Sequence, residues 1–220
     1  MGMDHTIDFL VKRGVLQFGE FKLKGGRPSP YFFNTGCLDD GEGLAFLGMV
    51  YSDAAFNLGT DKFDVIFGPA YKGISLADAC ATAMYQRYDV NKRRAYNRKE
   101  AKTHGDERVI DGTIREGDRI LLLDDVITTG GTKIEALKLL DTLYHNLSCT
   151  AMIVMLDRQE ATESGHSAAQ QFTLDTGISV TACLTARDII GWLNRRDPEK
   201  ADRIKSHLEK YGTEKILEGL

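Results

Sequence analysis

Several absences narrow what this sequence can do. Its four cysteines, Cys37, Cys80, Cys149 and Cys183, form no CxxC pair, so neither a zinc site nor a disulfide framework is expected. Reduced, mostly buried thiols in a cytoplasmic protein are the expectation left. No apolar run is long enough to cross a bilayer and no signal peptide is visible, so neither a membrane nor a secreted setting is expected. An excess of basic residues is missing too. Lys and Arg number 28 against 32 Asp and Glu, a net charge of −4, which speaks against a general nucleic-acid binder. Nothing repeats and nothing is low in complexity. There is no GK[ST] with the upstream glycine of a Walker A loop, and Gly41-Glu42-Gly43 is followed by Phe46 where a dinucleotide fingerprint needs glycine. Met1-Gly2 with Thr6 fits a loose myristoylation pattern, but no basic cluster follows it, so it reads as chance. The sequon Asn146-Leu147-Ser148 has no meaning without secretion.

The 220 residues, 42% of them apolar, suit a single large domain over residues 1–220 with room for a small attached subdomain. A first helix is expected over 4–13, and residues 20–35, rich in Gly, Pro and aromatics, read as short strands and turns. Over 42–58 the apolar residues Leu44, Leu47, Val50 and Ala54 recur at helical spacing. Residues 63–67 read as a buried strand ending in Gly68-Pro69, followed by a helix carrying Ile74, Ala77, Ala81 and Met84. Further strands are expected over 119–123, 151–156 and 178–184, with a helix over 132–144. Strands alternating with helices imply an α/β fold with a mainly parallel central sheet flanked by helices. Such sheets bind ligands at the carboxyl ends of their strands.

The second of these expected strands begins at 119 and leads into Asp124-Asp125-Val126-Ile127-Thr128-Thr129-Gly130-Gly131-Thr132. Adjacent carboxylates at a strand end can accept hydrogen bonds from a vicinal diol or sit near a hydrated Mg²⁺. Small side chains and glycines opening a helix offer free N–H groups to a phosphate monoester. An acidic strand end with a capped helix would explain Asp-Asp alone, but not the nine-residue run. The long polar stretch 97–108 crowds Arg98, Lys99, Lys102 and His104 into an acidic protein. Most charge runs are solvated turns; cations on a closing lid would also stabilise a pyrophosphate leaving group.

The nine-residue run resembles the motif with which type I phosphoribosyltransferases bind phosphoribosyl pyrophosphate (PRPP). The resemblance implies that Asp124 and Asp125 hold the ribose hydroxyls, while Val126, Ile127, Thr128, Thr129, Gly130, Gly131 and Thr132 bind the 5′-phosphate. Tyr96-Asn97-Arg98-Lys99-Glu100-Ala101-Lys102 with His104-Gly105 resembles the catalytic loop of orotate phosphoribosyltransferases in particular. It implies that Lys99, Lys102 and His104 act in catalysis with the acid pair, and that Arg98 joins them on PRPP. Gly68-Pro69-Ala70-Tyr71-Lys72-Gly73 resembles the first PRPP loop of that family, with Tyr71 and Lys72 on pyrophosphate. Phe18-Gly19-Glu20-Phe21, Leu23-Lys24 and Ser29-Pro30-Tyr31-Phe32-Phe33-Asn34 resemble its small N-terminal hood, which the resemblance implies over about 15–40, and Leu156-Asp157-Arg158-Gln159-Glu160 its base-recognition segment. Lys24, Phe32, Phe33, Thr128 and Arg158 are then the orotate positions, Lys24 also reaching PRPP. Arginine suits bidentate carboxylate recognition, although a lone Arg is usually surface and paired Phe usually core.

The resemblance covers about residues 18–160. It implies the type I phosphoribosyltransferase fold and the conversion of orotate and PRPP to orotidine 5′-monophosphate and pyrophosphate in pyrimidine (UMP) biosynthesis. It further implies an oxocarbenium-like transition state, Mg²⁺ bound mainly through PRPP and water rather than directly by protein, and a cytoplasmic homodimer with shared active sites. The alternatives are a phosphoribosyltransferase for another base and a PRPP-sensing regulator on the same fold. The chain carries no DxKxxD motif for an orotidylate decarboxylase half.

Overall fold

The computed structural model describes residues 2–23, 25–98, 109–127 and 131–213. Helix α1 (Met3–Lys12) leads into a two-stranded antiparallel hairpin, β1 (Leu16–Lys22) and β2 (Pro28–Phe33), and then helix α2 (Gly41–Leu58). The central sheet is built from β3 (Val65–Phe67), β4 (Arg93–Asn97), β5 (Ile110–Gly112), β6 (Arg119–Val126), β7 (Ser148–Asp157) and β8 (Ser179–Thr185). Between them run α3 (Lys72–Tyr88), α4 (Gly131–Leu143) and α5 (Ala168–Thr176); α6 (Ala186–Asn194) and α7 (Pro198–Tyr211) close the chain. The strand order is β5-β4-β3-β6-β7-β8. Every pairing is parallel except β4 with β5, which is antiparallel.

The three-layer arrangement follows from the period-2 alternation of strand side chains. Ile66, Leu121, Leu123, Ile153 and Met155 face one core with α1, α2, α3, α6 and α7. Val65, Phe67, Ile120, Leu122, Met152 and Val154 face a second core with α4 and α5. The central strands are therefore apolar on both faces, as a covered parallel sheet requires.

Strand lengths expose the future site. Phe67, the last residue of β3, pairs with Leu122, whereas β6 runs on to Val126 and pairs there with Leu156 of β7. The end of β6 thus projects past β3, and the turn from β3 into α3 fills the space beside it. That turn folds tightly on itself: a Cβ on Gly68 would lie 1.8 Å from the Gly73 carbonyl oxygen. The peptide bond between Ala70 and Tyr71 within it is cis.

Several expectations need correction. Strand β6 runs through Asp124, Asp125 and Val126, three residues past its expected end at 123. Asn97 ends β4, a strand not expected from the sequence. Expected bounds elsewhere hold to within a few residues. Helices α5, α6 and α7 lie where the sequence carried no assignment.

Candidate active site

The acid pair sits at the projecting end of β6. The Asp124 backbone carbonyl accepts a hydrogen bond from the Tyr51 hydroxyl of α2 at 2.6 Å, which fixes the strand end from below. The two side chains have separate partners. Asp124 pairs with the ammonium of Lys133, in the first turn of α4, which is itself buried. Asp125 Oδ2 accepts from Lys72 Nζ at 2.7 Å and from Thr35 Oγ1 at 3.1 Å, and its Oδ1 from the Val126 N–H at 2.8 Å. Burial pushes the Asp124 carboxyl up, with Lys133 pulling against it. Burial acts the same way on Asp125, but Lys72, the Val126 N–H and Thr35 outweigh it and leave its carboxyl below the ordinary aspartate range.

A carboxylate pair of this kind accepts rather than donates. An ionised carboxylate has about four lone-pair sites, and three on Asp125 are filled by protein donors. What is left suits one further donor, such as a sugar hydroxyl or a metal-bound water. With an ammonium on each acid, direct coordination of a dication has little to gain. Among the described residues no group of three or more His, Cys, Asp or Glu side chains converges as a metal site.

The other candidate positions fall in three places. Tyr71 and Lys72 form the turn at the start of α3, Tyr71 being 67% exposed. Arg98 follows β4; its Nη2 donates to Asp111 Oδ2 of β5 at 2.8 Å, while its Nη1 is buried without a partner among the described residues. Ala70 N–H donates to Asn97 Oδ1 at 3.0 Å, joining the β3–α3 turn to the end of β4. Gly131 and Thr132 open α4 and are exposed. Ile127 is buried in the second core and Val126 packs against the first, so only their backbones are available to a phosphate. Lys24, Lys99, Lys102, His104, Thr128, Thr129 and Gly130 lie outside the described residues.

Arg158 stands one residue past β7, which borders β6, so it shares the carboxyl edge of the sheet with the acid pair. Its Nη2 donates to Ser29 Oγ of β2 at 2.8 Å, tying the sheet edge to the hairpin. Phe32 is half-buried and stacks on Phe21 with ring centroids 5.5 Å apart. Phe33 packs against the main core, so of the two it is Phe32 that has a ring on the hairpin rather than in the core. Thr35, Tyr51 and Lys133 were not singled out from the sequence. Thr35 and Asp125 are 90 positions apart, and no local pattern links them.

Residues 47–179 match the Phosphoribosyl transferase domain family. With the parallel sheet and the acid pair at its carboxyl edge, this defines a type I phosphoribosyltransferase. The chain is 41% identical over 209 residues to the orotate phosphoribosyltransferase of Enterobacter sp. (strain 638), covering 94% of this chain and 96% of that one. It is 40% identical over 208 residues to that of Photobacterium profundum, with the same coverage. The crystal structure of the Francisella tularensis orotate phosphoribosyltransferase matches with a TM-score of 0.85 at 34% identity, covering 95% of this chain and 100% of that one. Leishmania donovani UMP synthase shares the fold, with a TM-score of 0.72 at 22% identity over 94% of this chain and 42% of that one. The chain belongs to the orotate phosphoribosyltransferase family.

Proposed function

We propose that the protein transfers the 5-phosphoribosyl group of PRPP to orotate, releasing orotidine 5′-monophosphate and pyrophosphate, as a step in pyrimidine biosynthesis. The observation that carries this reading is the placement of Asp124 and Asp125 at the end of β6 with Arg158 at the end of the adjoining strand β7. Acceptors for a ribose diol and a donor for a carboxylate then share one sheet edge. A phosphoribosyltransferase for a base without a carboxylate has no such use for Arg158.

In the reaction the bond from ribose C1 to pyrophosphate oxygen breaks and a bond from C1 to the base nitrogen forms. No protein nucleophile is needed. The carboxylates of Asp124 and Asp125 would hold the ribose hydroxyls and place negative charge near a carbon that becomes electron-poor. Gly131 and Thr132, opening α4, would offer N–H groups to the 5′-phosphate. Lys72 and Tyr71 lie in the turn beside Asp125 and would face pyrophosphate. Lys99, Lys102 and His104 would add charge to the same leaving group, and Lys24, Phe32, Phe33 and Thr128 would bound the base. Mg²⁺, carried on PRPP oxygens and water, supplies further neutralisation of pyrophosphate when bound. The acid pair, already matched by two lysines, fits an outer role toward it.

A homodimer in which residues around Lys99 serve the neighbouring subunit, in the cytoplasm, completes the reading. Burial pushes the Cys149 and Cys183 thiols up to about 12, which leaves them poor nucleophiles with no part in the chemistry. No helix among the described residues is long and apolar enough to cross a membrane. The test is product identity: orotate, PRPP and Mg²⁺ incubated with the protein should give orotidine 5′-monophosphate by mass spectrometry. Unchanged orotate at high enzyme concentration would overturn the reading.

A further inference from the structure

The segment after β7 is organised around one buried carboxylate. The Glu160 side chain is 10% exposed and takes four hydrogen bonds from three residues. Its Oε1 accepts from Arg158 Nε at 2.9 Å, from Arg158 Nη2 at 2.7 Å and from His207 Nε2 at 3.0 Å; its Oε2 accepts from Arg27 Nη1 at 3.0 Å. Burial alone would raise this carboxyl, but the His207 hydrogen bond and the Arg158 charge outweigh it and hold Glu160 at about 2. An ionised carboxylate only accepts, so His207 Nε2 carries a hydrogen in this contact.

Arg158 is thereby fixed on three sides. Glu160 occupies Nε and shares Nη2 with Ser29 Oγ, which lies 2.8 Å from it. The Ser29 hydroxyl donates to the Tyr31 carbonyl at 2.7 Å, so its oxygen is turned toward the guanidinium. The guanidinium carbon lies 4.1 Å from the centroid of the Tyr31 ring, a stacking that sets its plane. Among the described residues, no hydrogen bond is made by Nη1. Two guanidiniums, Arg27 and Arg158, against one carboxylate leave the cluster positive before His207 is counted. It therefore suits an anionic ligand group.

Helix α7 and the two residues after it, Gly212 and Thr213, reach this segment at several points. Besides the His207 contact, Glu160 pairs with Gly212 in an isolated bridge. The Ala161 N–H donates to the Tyr211 carbonyl at 2.6 Å, and Thr213 N–H to the Gln159 carbonyl at 3.3 Å.

We propose that Glu160 and His207 are positioning residues for base recognition: through the Glu160 carboxylate they lock the Arg158 guanidinium so that its Nη1 side is presented to the carboxylate of orotate, which makes α7 part of the specificity device. This rests on the reading of Arg158 as the residue that meets orotate. Neither Glu160 nor His207 touches substrate; each acts through Arg158.

The test uses steady-state kinetics of the full chain with both substrates varied, on Arg158→Ala, Glu160→Gln, His207→Phe, His207→Gln and the Arg158→Ala/Glu160→Gln double variant. Loss of a charge-assisted hydrogen bond should raise the KM for orotate by about tenfold in Glu160→Gln, with the KM for PRPP within about twofold of normal. His207→Phe should move orotate KM in the same direction, and His207→Gln, which keeps an N–H donor, should restore most of it. The double variant should be no worse than Arg158→Ala alone, because Glu160 has nothing to position once Arg158 is gone. Should Glu160→Gln fail to fold, the His207 pair gives the same readout with the Glu160 carboxylate intact. Equal rises in both KM values, or independent effects in the double variant, would make the cluster a structural clamp and overturn the inference while leaving Arg158 as the base residue. An Arg158→Ala enzyme with unchanged orotate KM would bring down the base-site reading and this inference together.

Discussion

Lys72 Nζ donates to Asp125 Oδ2 at 2.7 Å, joining the first turn of α3 to the end of β6 across 53 positions of sequence. The contact exists because β3 ends level with Leu122, two residues before Asp124, so the turn into α3 lies alongside the acid pair. The Lys72 side chain is 57% exposed. A pair that open to water contributes at most about 1 kcal/mol to stability, so packing does not explain it. Lys72→Ala should therefore shift Tm by no more than about 4 °C. Both Lys72→Ala and Asp125→Asn should lower kcat/KM for PRPP by about tenfold or more. Thermal melts and PRPP-varied kinetics on the same preparations check this. A large fall in Tm with normal PRPP kinetics would make the pair a strut.

The buried carboxylate of Glu160 gives a stability signature with a definite sign. Its value in the fold, about 2, lies below the ordinary glutamate value of 4.5, so the ionised form is favoured by folding. The stabilisation is full above about pH 4.5, falls away as pH drops through about 2, and is gone below that, where folded and unfolded chains are both protonated. A shift of that size corresponds to roughly 3 kcal/mol. Glu160→Gln should melt below the wild-type protein at pH 7, and the gap should narrow between pH 4.5 and 2. A gap that stays constant over that window would mean that Glu160 is not held ionised by its partners.

Sharing of sites between subunits can be read from subunit exchange. Lys99→Ala and Asp125→Asn chains, each of low activity alone, are mixed and allowed to re-associate. If residues around Lys99 complete the partner's site, a mixed dimer has one intact site and one carrying both lesions. About half of the dimers are mixed at random, so activity should recover to about a quarter of wild type. Exchange verified by native mass spectrometry without any recovery would mean that each subunit serves itself.

The parts of the fold that the sequence displayed are those whose signal is local. The apolar runs at β6 and β7 and the helical spacing in α2 report burial directly. Strand β4 escaped because it carries Arg93 and Arg94, with Ala95 its only fully buried residue; the arginines are accommodated by Asp118, Asp78 and Asp111 on other elements. Helix α7 buries only Ala201, Ile204, His207 and Leu208, too sparse a stripe to stand out. Helices α5 and α6 did carry readable starts, the capping boxes Ser167 with Gln170 and Thr185 with Asp188.

The acid pair, the β3–α3 turn and Arg158 were visible as motif residues, but their partners were not. Thr35, Tyr51, Lys133 and His207 reach the site through folding, and Ser29, though part of the hood motif, gave no sign that it meets Arg158 across 129 positions. Lys133 stands two residues past the glycine run, yet only the structure shows that its ammonium turns back onto Asp124.

The most direct test of the proposed reaction is a panel of bases. Orotate, uracil, hypoxanthine and adenine are each supplied with PRPP and Mg²⁺, and pyrophosphate release is followed. With Arg158 presented to a carboxylate, orotate should be used with a kcat/KM at least about a hundredfold above that of uracil, the same ring without the carboxylate. Comparable rates with uracil, or release driven by a purine and not by orotate, would contradict it.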